Sequence, residues 1–402
     1  MSMWQKIKNI YHLILSVFAN LWFGFPSKKL IIIGVTGTDG KTTTVSLIYH
    51  ILKQSGLNVS MISTVGAIIN GRNYDIGFHV TTPSPWGLQK LINRVSQDSD
   101  SQKKYLILEV TSHAIDQYRI WGINFNAAVL TNVTNEHLDY HKNYMSYLKT
   151  KVKLLKMTKI NAINKDDRSY KYILGLVSNI SGHRLITYGM SKAADVSPDN
   201  FPVKTKIEGV FNQYNILAAV SIVRTLGLNN EDIKKALESY VLPAGREEIV
   251  YKNNFSVMID FAHTPNGLTS ILSTIRPKIK GRIIHVFGCA GERDKGKRPE
   301  MGKISSEYSD VIIFTAEDPR SESVERIINE IESGINISQK IEIHKLVNRQ
   351  EAINTAVKMA KKGDFVLITG KGHEKSMNFG NGEESWSEYE AVKKALKIKN
   401  EK

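Results

Sequence analysis

Cysteine is almost absent from this sequence, since Cys289 is the one cysteine among 402 residues. A disulfide framework is therefore excluded, and a reducing, cytoplasmic setting is expected. Cys289 has no apparent histidine partner in the sequence, so we expect a packed core thiol rather than a nucleophile.

Apolar runs long enough to cross a bilayer are also missing. The N-terminal apolar stretch, residues 10–25, is shorter than the ~20 residues that a spanning helix needs, and His12, Ser16 and Asn20 interrupt it. No small-residue cleavage site follows, which argues against a signal peptide. Two interpretations stay open for the apolar helical segment 1–29. It is either a helix packed on the protein or an amphipathic helix lying on a membrane surface.

Zinc-finger spacings and aromatic-basic RNA-binding motifs are absent as well. The net charge of +15 favours polyanionic partners, which include nucleic acid, nucleotides and anionic membranes. Because the lysines and arginines are dispersed along the chain, an exposed basic surface is the simplest interpretation. We therefore expect no nucleic-acid partner.

Short apolar runs alternate with helical patterns, which is typical of parallel α/β folds. Strands are predicted at 30–35, 105–110, 127–133, 255–260, 282–287, 310–315 and 364–369. We expect a central domain over 30–242 with a P-loop ATPase-like, mostly parallel sheet, followed by a Rossmann-like α/β domain over 243–402. Each predicted strand ends in polar or glycine-rich residues, where ligands bind in such sheets.

A phosphate-binding loop follows the first predicted strand. It consists of Gly37, Thr38, Asp39, Gly40, Lys41, Thr42 and Thr43. Its small residues let backbone N–H groups approach phosphate oxygens, and the next helix adds its positive N-terminus. Lys41 is expected to neutralise the β- and γ-phosphates and Thr42 to bind Mg²⁺. The strict G-x-x-x-x-G-K-[ST] pattern is not met, because Val35 occupies the first glycine position. The loop still predicts ATP binding.

This variant loop resembles the ATP loop of the Mur ligases, which build the peptide stem of bacterial cell walls. Further motifs of that family occur in its order as TTP (81–83), EVTSH (109–113), TN (131–132), HLDYH (137–141), FNQYN (211–215), DFAHTP (260–265), GERDKGKRP (291–299), EDPR (317–320) and GKGHE (370–374). The chain looks most like the branch of UDP-N-acetylmuramoyl-tripeptide synthetases, which adds the third residue of the stem.

The resemblance implies an ATP-dependent ligase of peptidoglycan synthesis. Such an enzyme joins an amino acid of diaminopimelate or lysine type to a muramoyl-dipeptide through an acyl phosphate and releases ADP and phosphate. The implied catalytic residues are Lys41, Glu109, His137 and Lys151. The implied magnesium ligands are Thr42, Glu109, His137 and Lys151 as its carbamate (N6-carboxylysine). From the residues alone, the basic helix around Lys151 could equally be a solvated surface.

The resemblance also assigns binding residues. ATP contacts are implied for Asn212, Asn215, Arg246, Asp260 and His263, although both asparagines could instead be helix caps. The muramoyl-peptide would meet Thr81, Thr82, Thr111, Gln117 and Arg119. The incoming amino acid would meet Arg293, Glu317, Asp318, Arg320, Gly370 and Glu374. Arg320 suits an acceptor with a distal carboxylate, which favours diaminopimelate, whereas the charge of Asp318 could favour lysine.

The resemblance fails ahead of the ATP loop. Family members carry a uridine-binding domain there, and 33 residues before Gly34 are too few for one, so we expect that domain to be missing. This prompts the hypothesis that the segment 10–25 contacts the inner face of the membrane and that the acceptor is lipid-linked. The alternatives are a related Mur-type ligase or amidating partner, a folylpolyglutamate synthase-like ligase, a nucleotide-binding regulator and a nucleic-acid-dependent ATPase. A monomer is expected.

Overall fold

The computed structural model describes residues 3–77, 81–97, 103–178, 180–336 and 340–401. The chain forms two compact units. The first consists of Met1–Asn135 and His141–Val241, and the second of Glu136–Tyr140 and Leu242–Lys402. The short segment Glu136–Tyr140 thus groups with the second unit, although it falls within the predicted central domain, 30–242.

The first unit is built on a sheet of eight strands within the described residues. Its strand order is β4-β3-β2-β5-β1-β6-β7-β8, where β3 and β4 form an antiparallel extension of an otherwise parallel sheet. The strands are β1 (Ile31–Thr36), β2 (Asn58–Ser63), β3 (Gly66–Ile69), β4 (Arg72–Tyr74), β5 (Lys104–Glu109), β6 (Ala127–Leu130), β7 (Ile160–Asn164) and β8 (Arg184–Tyr188).

Helices cover both faces of this sheet, as parallel strands require. Several begin at a Ser, Thr or Asn whose side chain accepts a backbone N–H of the first turn, as Thr111 does from Ala114. In chain order the helices of this unit are α1 (Met3–Trp22), α2 (Lys41–Gln54), α3 (Pro85–Ser96), α4 (Ser112–Asp116), α6 (Tyr144–Lys156), α7 (Tyr170–Val177), α8 (Val210–Val223) and α9 (Asn230–Glu238), and α5 (Leu138–His141) lies mostly in the segment that groups with the second unit.

The second unit contains a sheet of order β13-β12-β11-β14-β10-β9 in the described residues, parallel except for β9. Its strands are β9 (Glu248–Lys252), β10 (Ser256–Ile259), β11 (Ile283–Phe287), β12 (Val311–Phe314), β13 (Glu342–Lys345) and β14 (Phe365–Ile368), and β15 (Ser376–Asn378) pairs with β16 (Glu383–Ser385). Its helices are α10 (Pro265–Ile275), α11 (Lys297–Tyr308), α12 (Val324–Glu332), α13 (Arg349–Met359) and α14 (Glu388–Asn400).

The predicted α/β fold is confirmed, and each of the seven predicted strands is present to within about two residues, apart from an early end of β6. These strands are almost wholly buried, so their apolar runs are continuous and easy to recognise. The other strands were not predicted. Among them, β9 and β13 are only five and four residues long, and each begins and ends in a charged residue, so no long apolar run marks them. In the buried strands β2 and β7, polar residues interrupt the apolar pattern.

The N-terminal helix α1 turns its polar side toward the protein. Asn9, Ser16 and Asn20 are buried, and their side chains donate to the backbone carbonyls of Asp116 (3.1 Å), Tyr118 (2.7 Å) and Trp121 (2.8 Å), respectively. The opposite, apolar side of α1 is exposed, with Trp4 at 76% and Trp22 at 67%. Among the described residues, no helix is both long and apolar enough to cross a membrane.

Buried Cys289 packs with its sulfur 3.5 Å from that of Met301. Burial raises the pKa of its thiol to about 12, so the thiol is protonated at neutral pH. The prediction of a core thiol is confirmed.

Candidate active site

Glu109 is a buried carboxylate at the carboxyl end of β5. Its two oxygens accept the Thr42 hydroxyl (3.2 and 3.1 Å), the Thr64 hydroxyl (3.0 Å) and the Thr64 backbone N–H (3.0 Å). Only 1% of Glu109 is exposed. Because β5 lies beside β1 in the sheet, this carboxylate stands next to the phosphate-binding loop that follows β1. Thr42 and Glu109 therefore present hard oxygen atoms side by side, as a magnesium site requires.

The loop between β1 and α2 is held from behind by the residues that follow β6. The backbone N–H of Thr38 donates to the Asn132 carbonyl (3.0 Å), and that of Asp39 donates to the Asn132 side chain (3.0 Å). The Thr131 hydroxyl donates to the Asp39 carbonyl (2.7 Å). The Lys41 ammonium donates to the Thr38 carbonyl (2.8 Å). The loop is thus preformed, with Lys41 at the start of α2 beside the helix N-terminus.

Asn215 fixes the turn at Gly40. Gly40 has φ +78°, and a side-chain carbon added there would lie 2.2 Å from Oδ1 of Asn215. Asn215 donates to Oδ1 of Asn212 (3.3 Å), and Asn212 donates to the Glu208 carbonyl (2.7 Å). Both asparagines are buried in α8. Both lie within α8 and are not its N-cap, which is Gly209, and Asn215 supports the loop at Gly40.

Lys151 points inward from α6. It is 1% exposed, whereas its neighbours Lys149, Lys153 and Lys156 are exposed. Its ammonium donates to the Gly37 carbonyl (2.6 Å) and lies 4.3 Å from the centre of the Tyr147 ring. The structure therefore separates Lys151 from the solvated side of the helix and brings it to the phosphate-binding loop.

His141 lies close to Lys151 and accepts or donates a hydrogen bond at Ser112 (3.0 Å). Burial, and then the positive charge of Lys151, lower the pKa of His141 to about 4. Its ring is accordingly neutral at neutral pH.

The candidate muramoyl-peptide residues come together after β5. The Thr82 hydroxyl donates to the Glu109 carbonyl (3.1 Å) and accepts the Thr111 backbone N–H (3.2 Å). The Arg119 guanidinium donates to the Thr82 carbonyl (3.3 Å) and to the Gln117 side chain (2.6 Å). Thr81 joins this group through the Thr64 hydroxyl, at 3.1 Å.

His137 belongs to the segment of the second unit that precedes α6 in the chain. It is partly buried and has φ +55°. The segment is fixed by a buried ion pair, in which the Lys297 ammonium contacts Glu136 (3.0 Å) and also donates to the His263 carbonyl (2.8 Å). Neither Lys297 nor Glu136 was singled out from the sequence, since 161 residues separate them.

The candidate nucleotide residues of the second unit cluster after β10. Buried Asp260 accepts the backbone N–H groups of Glu247 (2.8 Å) and Ala262 (2.7 Å). Burial raises the pKa of its carboxyl, which nearby Arg246 opposes. The Arg246 guanidinium lies 4.2 Å from the centre of the Phe261 ring, and Nδ1 of His263 bonds to the Phe261 carbonyl (2.8 Å).

Arg293 and Arg320 form a pair of neighbouring cations in the second unit. Burial, and then the positive charge of Arg320, lower the pKa of Arg293. One Arg320 N–H donates to the Gly291 carbonyl (2.8 Å), and Arg320 has φ +53°. Two guanidinium groups this close favour a bound carboxylate, which arginine recognises with two parallel hydrogen bonds.

Asp318 and Glu374 share a buried cation. The ammonium of Lys371, fully buried, contacts both oxygens of Asp318 (2.9 and 2.9 Å) and one oxygen of Glu374 (2.5 Å). The Asn378 backbone N–H also donates to Asp318 (3.0 Å). The sequence motif GKGHE contains Lys371, but a partner 53 residues away could not be inferred from it.

Glu317 is buried beside Gly370, at the end of β14. A side-chain carbon added at Gly370 would lie 2.1 Å from Oε2 of Glu317, so this position has room for glycine alone. Burial is the main cause that raises the pKa of Glu317 to about 8. Its carboxyl is therefore mostly protonated at neutral pH and adds little charge to the neighbouring residues.

No group of three or more His, Cys, Asp or Glu side chains that could hold a metal occurs in the part of the chain that the structure describes. A magnesium ion at Thr42 and Glu109 would thus need ligands from outside such a cluster, for example from nucleotide phosphates or water. The chemistry of Thr42 and Glu109 fits such an ion.

We expect Gly40→Ala to weaken ATP binding at least tenfold, because the new methyl group meets Asn215 and displaces the loop. Gly56→Ala is the matched control, since Gly56 has φ +76° and open space around it. Both variants carry the same backbone cost, about 1–2 kcal/mol, but only Gly40→Ala adds the clash. Calorimetric titration with ATP measures the difference. Equal ATP affinity in the two variants would contradict the assignment.

Two family comparisons cover most of the chain. The Mur ligase middle domain family matches residues 35–223, and the Mur ligase glutamate ligase domain family matches residues 245–372. The folylpolyglutamate synthase of Mycobacterium tuberculosis, solved with ADP and AMPPCP, has a TM-score of 0.69 at 14% identity. The match covers 89% of this chain and 92% of the synthase chain, and it shows that the two proteins share a fold.

Several relatives are much more similar in sequence. UDP-N-acetylmuramoyl-L-alanyl-D-glutamate–2,6-diaminopimelate ligase 1 of Clostridium acetobutylicum is 38% identical over 92% of this chain and 79% of its own length. The corresponding ligase of Aquifex aeolicus is 36% identical over 94% and 80%. A solved structure of such a ligase has a TM-score of 0.60 at 27% identity, covering 92% and 79%. The chain belongs to the Mur ligase family of ATP-dependent, amide-bond-forming ligases.

Proposed function

We propose that this chain adds an amino acid with a second charged end, of diaminopimelate or lysine type, to a muramoyl-dipeptide in peptidoglycan synthesis. The main observation behind the proposal is the position of Glu109 between two groups of candidate site residues. Glu109 contacts the phosphate-binding loop through Thr42 and, through Thr82, the candidate muramoyl-peptide residues, which we call the acceptor cluster (Thr81, Thr82, Thr111, Gln117 and Arg119). The relatives at 36–38% identity, which are named as diaminopimelate ligases, support the same substrates. They favour this function over folylpolyglutamate synthesis, for which only the fold is similar.

The first step brings together two anions. An acceptor carboxylate oxygen attacks the γ-phosphorus of ATP, the bond to the bridging oxygen breaks, and ADP leaves an acyl phosphate behind. Lys41 at the loop and Arg119 in the acceptor cluster supply fixed positive charge for this step. Mg²⁺ at Thr42 and Glu109, with His137 as a further ligand, would supply Lewis-acid chemistry when bound.

In the second step the incoming amine attacks the acyl carbon. The carbon–oxygen bond to phosphate breaks, phosphate leaves, and the nitrogen loses a proton to give the amide. Arg293 and Arg320 orient the amino acid through its carboxylate, and Arg246, Asp260 and His263 contact the nucleotide. Asn212 and Asn215 act from behind the loop as positioning residues.

Phosphate release tests this function directly. We expect release only when ATP, UDP-N-acetylmuramoyl-L-alanyl-D-glutamate and a suitable amino acid are all present, because each step needs the previous product. The panel includes meso-diaminopimelate, lysine, glutamate and alanine. Phosphate release that responds to DNA or RNA instead would contradict the proposal, as would an absence of release across the whole panel with both soluble and lipid-linked acceptors.

Lys151 is proposed to act as its carbamate. Its neutral amine would add carbon dioxide and lose a proton, which converts a cation into a carboxylate. Two observations support this proposal: Lys151 is buried, and it contacts the Gly37 carbonyl in the phosphate-binding loop. A buried ammonium is costly, and a carboxylate here would help Glu109 to hold magnesium.

We expect Lys151→Ala to lower kcat about 10²- to 10³-fold, the effect of losing one electrostatic stabiliser. Short-chain carboxylates such as acetate should restore part of the activity, because they can occupy the place of the carbamate. Exposed Lys149→Ala is the control and should remain active. Labelled bicarbonate should give a carbamate carbon signal by NMR in the wild type and lose it in Lys151→Ala. Full activity of Lys151→Ala would contradict the proposal.

We also propose that the apolar side of α1 lies on an anionic membrane surface. This side carries nine exposed residues, namely Met3, Trp4, Ile7, Ile10, Tyr11, Ile14, Phe18, Leu21 and Trp22. Trp86 of α3 extends it, with ring centres 6.3 Å from Phe18 and 5.9 Å from Trp22. Such a wide, aromatic face is typical of interfacial helices.

The charge around α1 complements an anionic bilayer. The first 38 residues contain no Asp or Glu, and Lys6, Lys8, Lys28 and Lys29 are all exposed. A second copy of the chain would bring like charges together, whereas anionic lipids attract them. The polar side of α1 holds the segment that carries Gln117 and Arg119, so membrane contact would bring the acceptor cluster near the bilayer. This favours a lipid-linked acceptor as the second candidate substrate.

Vesicle sedimentation tests the membrane contact. We expect the wild type to pellet with vesicles of phosphatidylcholine containing about 30% phosphatidylglycerol and to be released by salt, because both apolar burial and charge contribute. The triple variant Trp4→Ser, Ile14→Ser, Phe18→Ser should stay in the supernatant.

Val241→Ser is the control for this experiment, since Val241 is an exposed apolar residue away from α1. Equal pelleting of the triple variant would contradict the proposal. A wild-type dimer in light scattering that becomes a monomer in the triple variant would also contradict the proposal, because α1 would then be a self-association surface.

A further inference from the structure

Lys371 occupies an unusual place in the amino-acid site. It follows β14, while Asp318 follows β12, and β11 lies between these two strands. Gly288, which follows β11, lets the loop after β12 approach closely. A side-chain carbon there would lie 2.2 Å from the Thr315 carbonyl oxygen. The fold therefore brings a lysine and an aspartate from distant loops into contact without solvent.

The ion pair changes the charge that an incoming amino acid meets. Asp318 and Glu374 could each attract an ammonium group, but both already contact the Lys371 ammonium. Burial, and then the positive charge of Arg320, lower the pKa of Arg293, and Asp318, whose two oxygens each lie 2.9 Å from the Lys371 ammonium, opposes this least among the contributing carboxylates. Glu317 adds little negative charge, because it is mostly protonated at neutral pH. Among these side chains, the three cations of Arg293, Arg320 and Lys371 thus outnumber the two carboxylates of Asp318 and Glu374.

We propose that Lys371 is a specificity-determining residue, which neutralises Asp318 and so selects an amino acid with a distal carboxylate over one with a distal ammonium alone. The inference rests on the proposed ligase function and deepens it. Asp318 then acts as an anchor for Lys371 and for the Asn378 backbone rather than as a receptor for a lysine side chain. A distal carboxylate meets the two arginines, and lysine lacks that group.

The test compares kcat/KM for meso-diaminopimelate and L-lysine in the wild type and in Lys371→Gln, where glutamine keeps a hydrogen-bond donor but loses the charge. We expect the wild type to prefer diaminopimelate. In Lys371→Gln the ratio of the two values should fall at least tenfold, because the charge of Asp318 becomes available to lysine. The double variant Asp318→Asn, Lys371→Gln removes one charge of each sign. Its ratio should return to within about threefold of the wild type.

A purely structural role for Lys371 would lower both kcat/KM values by the same factor and leave their ratio unchanged. That result in folded Lys371→Gln would overturn the inference, as would a wild type that prefers lysine. If Lys371→Gln fails to fold, the variant Asp318→Asn provides the test. Its ratio of kcat/KM for diaminopimelate to kcat/KM for lysine should stay at or above the wild-type ratio. A lower ratio would overturn the inference. A wild type that turns over neither amino acid would remove the proposed function and this inference with it.

Discussion

The site depends on one buried carboxylate, that of Glu109, and on the hydroxyl groups that surround it. A carboxylate without solvent must be hydrogen-bonded, and here Thr42 and Thr64 provide the donors. Because Thr42 lies in the first turn of α2 and Thr64 follows β2, these bonds connect the phosphate-binding loop with the segment after β2. The Glu109 backbone carbonyl meanwhile binds Thr82. One residue thus sets the positions of the phosphate-binding loop and the acceptor cluster, and any metal bound there must compete with these hydroxyls.

The second unit also has buried carboxylates, but there lysine ammonium groups pair with them instead of hydroxyl groups. Its carboxylates are more numerous, and buried lysines balance them: Lys297 pairs with Glu136, and Lys371 with Asp318 and Glu374. Buried pairs of this kind contribute little net stability, since desolvation cancels most of the attraction. They do, however, fix the geometry of loops that have no regular hydrogen bonding. Lys297 holds the segment that contains His137, and Lys371 joins the loop after β14 to the loop after β12, which carries Asp318 and Arg320.

The sequence predicted seven strands, which continuous apolar runs mark, and it placed the candidate site residues after them, because parallel strands bring their polar ends to one edge of a sheet. It could not predict which lysine of α6 is buried. Lys149, Lys151, Lys153 and Lys156 differ only in rotation around the helix, and the resemblance alone pointed to Lys151. Pairs such as Lys371 with Asp318 depend on contacts between distant loops, which spacing does not encode. Nor did the sequence indicate that the Asn215 side chain packs against Gly40 of the phosphate-binding loop.

Helix α1 shows why a hydrophobic pattern does not by itself fix the orientation of a helix. The short helix α4 ends at Asp116, and the carbonyl groups beyond a helix end need donors. Asn9, Ser16 and Asn20 supply them along residues 116–121, so the polar side of α1 must face this segment. Because the polar side of α1 faces the protein, its opposite, apolar side is exposed. The same hydrogen bonds that shape the loop of Gln117 and Arg119 therefore create the exposed aromatic face.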